Sequence, residues 1–255
     1  MILIEGAIAM TDAYKRKVIG ESVESAHLGR SVDIRIFVPP GYNELLTYPI
    51  LYTQDGQDFF MYGRIATFAY QLILEEGLQP FLIVGVDVTR QRRTAEYSSL
   101  GSGNRAYRQF FLQELIPFIE NRFQVPDSGL QRVLAGDSLG GTVSFDIALD
   151  KPELFQGIIS LSGAFIEPLL DRMRATDPFP PFHIYMLVGE QETAVDTHLG
   201  PLDFVKMNRA ARDLLSGKHA NFTYLEKPGI HTWGFWQQEL PDALRHFFRP
   251  AIWVS

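Results

Sequence analysis

Short runs of almost uninterrupted apolar residues alternate along this chain with longer stretches in which apolar residues recur every three or four positions. The short runs are typical of strands buried on both faces, and the longer stretches are typical of amphipathic helices. The predicted buried strands cover residues 49–53, 81–86, 132–135, 156–161, 183–188 and 221–226. Their alternation with helices predicts an α/β architecture, a mostly parallel sheet with helices on both faces.

Two β-rich runs, 17–27 and 31–38, precede these strands and flank a glycine-containing turn, so they are predicted to form an antiparallel hairpin. The hairpin and the buried strands together make an eight-stranded sheet. Helices are predicted directly after Ser138 and over residues 65–76, 105–123, 202–215 and 240–248. Because no repeat or linker divides the chain, residues 1–255 are expected to form a single domain.

The start of the chain follows the pattern less well. It becomes regular only after Met10, so residues 1–16 are expected to be irregular, and either Met1 or Met10 fits as the first residue. The apolar segment 1–10 is short, carries Glu5 and lacks a basic start. A signal peptide is therefore not predicted.

The composition of the chain argues against several classes of partner and of catalytic chemistry. The chain has 255 residues, 46% of them hydrophobic, with a net charge of −7 and no cysteine. Net negative charge argues against nucleic acid or an anionic membrane as a partner, and the lack of cysteine excludes disulfides and thiolate catalysis. No apolar stretch approaches the roughly 18 residues of a membrane span. We expect a soluble, cytoplasmic protein that acts on a small molecule, and a homo-oligomer is compatible with this composition.

Residues 136–140 carry the pattern G-x-S-x-G between a predicted strand and a predicted helix. In that context the serine occupies a sharp, strained turn, where glycines two residues to either side avoid collisions. The N-terminus of the following helix directs backbone N–H groups at whatever the serine attacks. Ser138 is therefore the candidate nucleophile, and a serine in a purely structural turn is the alternative.

A serine hydroxyl needs an imidazole that accepts its proton. His231 follows the last predicted strand, where a chain with the α/β-hydrolase order serine, acid, histidine carries its base. His198, in the loop after an earlier strand, remains an alternative. A histidine that only caps the last helix is the structural alternative for His231.

The acid of such a triad is expected in the loop after the strand 183–188. Glu192 is the first choice because it follows the strand end by a short turn, and Asp196 and Asp203 are the alternatives. A buried carboxylate there would accept the Nδ1 proton of His231 and stabilise the imidazolium formed during attack.

A tetrahedral intermediate also needs two N–H donors for its oxygen. One is expected from Leu139, the residue after the nucleophile. The other is expected from Gln57, because Gly56 lets the loop after the strand 49–53 turn inward. A plain turn at Asp55 and Gly56 is the alternative.

With these residues in place, the chain resembles the putative-esterase family of α/β hydrolases, whose members include enterochelin esterases, esterase D, feruloyl esterases and mycolyltransferases. The similar segments are YPILYTQDGQDFF (48–60), RTAEY (93–97), QELIPFIENRF (113–123), AGDSLGGTVSFDIALDKPELFQGIISLSGAF (135–165), VGEQET (188–193) and PGIHTWGFWQQELPDALRHFF (228–248). The resemblance implies an α/β-hydrolase fold, Ser138 as nucleophile, His231 as base, and Gln57 and Leu139 as oxyanion donors. Enterochelin esterase-like members carry Gly-x-x-Glu where residues 189–192 stand, which favours Glu192.

The mouth of the site is expected to be open. The stretch between the strands 156–161 and 183–188 is too short for a large lid domain. The bordering loops are expected to be 88–107, 164–181 and 191–202. Trp233 is a candidate wall of the substrate pocket, with core packing as its alternative role.

Three arginines, Arg90, Arg92 and Arg93, cluster in the first of these loops. They are expected either to bind an anionic or catecholate-bearing acyl group, with Arg93 as a substrate contact, or to belong to a charged loop shaped by an Arg93–Glu96 pair.

These observations predict a serine carboxylic-ester hydrolase that works through an acyl-enzyme and needs no cofactor or metal. An aryl, siderophore-type or sugar ester is the expected kind of substrate. An acyltransferase that uses the same acyl-enzyme is the first alternative. A non-catalytic binding protein with the same fold is the second.

Overall fold

The computed structural model describes residues 14–125, 131–155, 157–197 and 200–249. Most of the segment predicted to be irregular, residues 1–13, lies outside the described residues. The strands are β1 Lys17–Ser25, β2 Arg30–Val38, β3 Ile50–Thr53, β4 Leu82–Val86, β5 Arg132–Asp137, β6 Gly157–Leu161, β7 His183–Gly189, β8 Val195–Thr197, β9 Gly200–Leu202 and β10 Asn221–Lys227.

Helices connect most of these strands. They are α1 Gly56–Met61, α2 Ile65–Glu76, α3 Arg90–Tyr97, α4 Asn104–Phe110, α5 Ile116–Glu120, α6 Leu139–Asp150, α7 Glu167–Ala175, α8 Phe204–Gly217 and α9 Trp233–Phe247, with a π-helical turn at Phe111–Leu115. Among the described residues, none of these helices is both long and apolar enough to cross a membrane.

Eight strands form one sheet in the order β1-β2-β4-β3-β5-β6-β7-β10. β1 and β2 pair antiparallel, as do β2 and β4, and the remaining neighbours are parallel. The predicted eight-stranded, mostly parallel α/β fold is confirmed. Only α7 lies in the described segment between β6 and β7, so this connection carries no large lid domain, as predicted.

The central strands are buried along their whole length because helices cover both faces of the sheet. β3, β4, β5 and β6 have no exposed residue. One face packs against the π-helical turn and its flanking helices, and the other packs against α2 and α9. This double cover explains why these strands are continuous apolar runs rather than alternating ones.

The strand register brings the functional loops to one edge. Asp137 at the end of β5 lies opposite Leu161 of β6, and Leu161 lies opposite Leu187 of β7. The turns after β3, β5, β6 and β7 therefore share the carboxyl edge of the sheet, where ligands bind in open α/β sheets.

Helix α2 has the predicted bounds, and Gly77 ends it in a left-handed conformation with φ 68°. The predicted helix 105–123 differs, because a π-helical turn interrupts it at Phe111–Leu115. Pro117 follows at once and has no N–H to donate to the preceding turn. A local change in helical winding is the usual response to such a missing donor.

Several elements at the carboxyl edge differ from the predicted loops. α1, α3, α7 and the hairpin β8–β9 are regular structure in segments that the sequence pattern predicts as irregular. α9 begins at Trp233 rather than at residue 240. α1, β8 and β9 are only three to six residues long, and α3 is composed almost entirely of polar residues, so hydrophobic periodicity gives a weak signal for them.

Candidate active site

Ser138 occupies the turn between β5 and α6 with φ 52° and ψ −120°. A non-glycine residue in this region is strained by about 1–3 kcal/mol and persists only where its surroundings hold it. The Ser138 N–H donates to Leu161 O at 2.9 Å, and its carbonyl oxygen accepts from Ala164 N at 2.9 Å. Both partners lie at or just after the end of β6, so the neighbouring strand fixes the turn.

Both glycines of the motif lie in close contact with neighbouring groups. A Cβ on Gly136 would lie 2.1 Å from the carbonyl carbon of Gly140, and a Cβ on Gly140 would lie 3.2 Å from Gln54 Cβ. A side chain at position 136 would therefore collide with backbone, and one at position 140 would press against the loop after β3.

Glu192 and His231 come together although they are far apart in sequence. Glu192 follows β7 by a short turn, its side chain is fully buried, and its Oε2 lies 2.6 Å from His231 Nδ1. His231 lies in the turn between β10 and α9. His231 and Ser138 line the same two cavities.

The second carboxylate oxygen of Glu192 is also occupied. Glu192 Oε1 accepts from Ser162 Oγ at 2.7 Å and from Gly189 N at 2.9 Å. The Ser162 hydroxyl oxygen accepts in turn from Trp236 Nε1 at 2.8 Å. Glu192 is thus held by two hydrogen bonds, from Ser162 and Gly189, in addition to its contact with His231.

Trp236 also supports the imidazole directly. The His231 ring packs at 4.1 Å from the Phe204 ring and at 4.9 Å, edge to face, from Trp236. The sequence pattern did not identify Ser162, Trp236 or Phe204 as members of this site. Ser162 was detectable in principle, because like Ser138 it directly follows a buried strand.

The other candidate acids and bases lie elsewhere. Asp203 caps helix α8, where its carboxylate accepts from Lys206 N at 2.8 Å. Asp196 is an exposed residue of β8 that lines the smaller of the two cavities shared by Ser138 and His231. His198 lies outside the described residues.

Gln57 and Leu139 each lie in the first turn of a helix, α1 and α6 respectively. Such N–H groups have no acceptor within their own helix. In the described part of the chain neither N–H donates to another protein group. The Gln57 side chain accepts from Val88 N at 3.0 Å, which fixes the start of α1 against the loop after β4.

The segment that carries the three clustered arginines was expected to be a loop, but it forms helix α3. The arginines therefore do not all face the same cavity. Arg90 and Arg93 lie three positions apart and both line the larger cavity, whereas Arg92 does not. The alternative Arg93–Glu96 pair is wrong. Glu96 pairs with Arg30 at 2.9 Å, and Arg93 pairs with Asp55 at 2.7 Å.

Asp137, the residue before Ser138, is a buried acid whose pKa is raised. Burial raises the pKa of Asp137 from 3.8 to about 7, and the charge of Asp55 acts in the same direction while Arg93 opposes both. The folded protein therefore binds more protons at this position than the unfolded chain does between about pH 4 and pH 7.

This difference predicts that the contribution of Asp137 to the free energy of unfolding falls as the pH rises from about 4 to about 7. The variant Asp137→Asn has no group to titrate there, so its stability is expected to fall less over the same range. Urea unfolding at pH 5 and pH 8 measures both changes. Asp213→Asn, an exposed acid on α8, is the control. Equal losses for the wild type and Asp137→Asn would contradict the prediction.

Two cavities meet at Ser138 and His231. The apolar lobe has a volume of about 220 Å³, and its walls are largely hydrophobic: Leu139, Ala164, Ile166, Val195, Leu202 and Phe204. The wide lobe has a volume of about 680 Å³, and its lining includes Gln57, Asp58, Tyr62, Arg90, Thr232 and Trp233. Each of the three loops predicted to border the site supplies part of these walls.

Trp233, the candidate pocket wall, lines the wide lobe and packs edge to face on Phe59 and Trp236, at 4.8 and 5.5 Å. Phe59 itself is fully buried in the core. Trp233 therefore combines core packing with a surface in the cavity.

The family model described as putative esterase matches residues 25–247. The chain is 34% identical over 225 residues to the uncharacterized protein YjcH of Bacillus subtilis (strain 168), covering 87% of this chain and 93% of the relative.

Two solved structures share the fold. A ferulic acid esterase superposes with a TM-score of 0.75 at 16% identity, covering 91% of this chain and 99% of that structure. The enterochelin esterase of Shigella flexneri superposes with a TM-score of 0.75 at 20% identity, covering 89% of this chain and 58% of that structure. The extent of the family match, over nearly the whole described fold, shows that this chain belongs to the putative esterase family of α/β hydrolases and is a carboxylic-ester hydrolase.

Proposed function

We propose that this chain hydrolyses carboxylic esters through an acyl-enzyme formed on Ser138, with His231 as general base and Glu192 as the acid that orients it. The observation that carries the proposal is the buried contact between Glu192 Oε2 and His231 Nδ1 at 2.6 Å. It lies beside cavities that His231 shares with a strained serine. A carboxylate so placed fixes the tautomer that leaves Nε2 free to accept a proton.

In the acylation step, the Ser138 oxygen bonds to the carbonyl carbon of the ester while His231 Nε2 takes the serine proton. The carbonyl oxygen becomes an oxyanion, and the free N–H groups of Gln57 and Leu139 are its proposed donors. His231 then gives the proton to the departing alcohol as the ester C–O bond breaks. Water attacks the acyl-enzyme by the same steps and releases the acid.

The hydrogen bonds around Glu192 support this chemistry. Ser162 and Gly189 occupy Oε1, so only Oε2 faces the imidazole. Phe204 and Trp236 restrict rotation of the ring. The imidazolium formed during attack would therefore meet a carboxylate that is already in position, which lowers the cost of reorganisation.

The shapes of the two lobes indicate how an ester would lie. The apolar lobe, at about 220 Å³, is smaller than the roughly 300–1,000 Å³ typical of a site for a whole drug-sized ligand. We assign it to the acyl group. The wide lobe is larger and more polar, and we assign it to the alcohol group and to water, with Trp233 as one wall.

A panel of p-nitrophenyl esters tests this function. We expect hydrolysis of the acetate and butyrate esters. For the decanoate ester we expect kcat/KM to be lower by about tenfold or more, because overpacking a fixed pocket costs about 1–3 kcal/mol. Leu202→Ala, which widens the apolar lobe, is expected to reduce that penalty. Methyl ferulate and a catecholate ester belong in the panel because the neighbouring structures include a ferulic acid esterase and an enterochelin esterase.

Failure of the wild type to hydrolyse any ester would contradict the proposed function. Equal kcat/KM for the acetate, butyrate and decanoate esters would contradict only the assignment of the apolar lobe.

A further inference from the structure

We infer that Arg93 is a positioning residue that holds the two halves of the oxyanion hole at a fixed separation. The inference rests on the proposed function, because it concerns the N–H groups of Gln57 and Leu139. It differs from the expected role of Arg93 as a contact for an anionic acyl group.

Arg93 binds the loop after β3 through the carboxylate of Asp55. Its Nε donates to Asp55 Oδ1 at 2.7 Å, and its Nη2 donates to Asp55 Oδ2 at 2.8 Å. The Asp55 side chain is 1% exposed. A two-point contact between a guanidinium and a buried carboxylate fixes orientation as well as distance.

The same nitrogen reaches the turn that carries the nucleophile. Arg93 Nη2 donates to the carbonyl oxygen of Asp137 at 3.2 Å and lies 3.5 Å from Asp137 Oδ2. One guanidinium therefore joins two segments of backbone that belong to different strand ends.

Each of these segments leads directly to one oxyanion donor. Asp55 precedes Gln57 by two residues, and Asp137 precedes Leu139 by two residues. In each case the chain passes through a strained residue with positive φ, 51° at Asp55 and 52° at Ser138. Such conformations persist only when contacts enforce them, and Arg93 supplies contacts to both segments.

Helix α3, which carries Arg93, is itself held in place by contacts with neighbouring segments. The Tyr97 hydroxyl accepts from Asp55 N at 3.1 Å, and the Arg93 guanidinium lies over the Tyr97 ring at 5.5 Å. Arg30 Nη2, on β2, donates to both carboxylate oxygens of Glu96, each at 2.9 Å. These contacts fix helix α3 against the sheet close to the Arg93 side chain.

Substrate contact is the competing role, because Arg93 also lines both lobes. The two roles predict different kinetics. A group that positions oxyanion donors acts mainly in the transition state, so its loss lowers kcat and leaves KM nearly unchanged. Loss of a group that binds an anionic acyl portion raises KM for anionic esters alone.

The experiment compares Arg93→Met, Arg93→Lys and the wild type on p-nitrophenyl butyrate and on the anionic p-nitrophenyl hemisuccinate. We expect Arg93→Met to lower kcat by about 10- to 100-fold on both esters, less than the roughly 10²–10³-fold loss from deleting an oxyanion donor. KM is expected to change by less than about twofold. Arg93→Lys is expected to be intermediate, because lysine keeps the charge but cannot make the forked contact.

A trifluoromethyl ketone adds a readout that reduced stability would not move. Ser138 adds to its carbonyl carbon, and the resulting oxyanion occupies the same site as that of the ester. Its affinity is expected to fall by the same factor as kcat/KM. Arg92→Met, which removes an exposed arginine from the same helix, is the control and is expected to leave all values unchanged.

Three outcomes would overturn the inference. The first is a rise in KM confined to the hemisuccinate. The second is a lower Tm for both Arg93 variants with unchanged kcat. The third is unchanged ketone affinity in Arg93→Lys, which keeps the test decisive if Arg93→Met does not fold. An inactive wild type would instead count against the proposed function.

Discussion

Replacing Ser138 by alanine is expected to reduce kcat for ester hydrolysis by about 10⁶-fold, the loss typical of removing a serine nucleophile from a triad. Without Oγ no acyl-enzyme can form, and His231 has no hydroxyl to deprotonate. Because the backbone contacts of Ser138 do not involve its side chain, the fold is expected to survive. Steady-state hydrolysis of p-nitrophenyl butyrate measures the loss, and circular dichroism measures the fold.

Ser102→Ala is the matched control, because Ser102 is an exposed serine in the turn before α4. It is expected to retain wild-type kcat. If Ser138→Ala keeps more than about one hundredth of wild-type kcat while remaining folded, Ser138 is not the nucleophile.

Replacing Glu192 by glutamine is expected to lower kcat by about 10²–10⁴-fold. Glutamine preserves the volume of a fully buried side chain but removes its charge. An amide NH₂ facing His231 Nδ1 would favour the tautomer with the proton on Nε2, which cannot accept the serine proton. The kcat/KM of the variant for p-nitrophenyl butyrate measures this effect.

Asp203→Asn is the control for the loss of a nearby acid, because asparagine can still cap helix α8. It is expected to leave kcat unchanged. A large loss in Asp196→Asn or Asp203→Asn, with none in Glu192→Gln, would transfer the role of the acid to one of those residues.

Much of the fold was predictable because it depends on local patterns. The β5–α6 turn combines a buried strand, two glycines and a helix, and each of these features is visible within a few residues. Helix α2 ends at Gly77 as predicted, since a glycine after an apolar periodic stretch is a strong local signal.

The surroundings of the candidate triad were not predictable in the same way. Ser162, Trp236 and Phe204 reach Glu192 and His231 from three different elements. A hydrogen bond between residues 74 positions apart, such as that between Trp236 and Ser162, leaves no periodic trace in one sequence. Such residues meet only in the folded protein, where the carboxyl ends of neighbouring strands lie side by side.

Helix α3 shows the same limit for charged residues. Its arginines are adjacent in sequence, but helical geometry places Arg92 on a different side from Arg93, and Arg93 pairs with an acid 38 positions away. Charge clusters in a sequence therefore indicate a charged segment, whereas the partner of each charge depends on the tertiary fold.

The most direct test of the central claim is to trap the acyl-enzyme. Wild-type protein is mixed with p-nitrophenyl butyrate and quenched in acid within milliseconds, and its peptides are analysed by mass spectrometry. We expect a butyryl group on the peptide that contains Ser138, and none on that peptide in Ser138→Ala. A butyryl group on another residue of the wild type, or steady hydrolysis with no acylated peptide at any quench time, would contradict it.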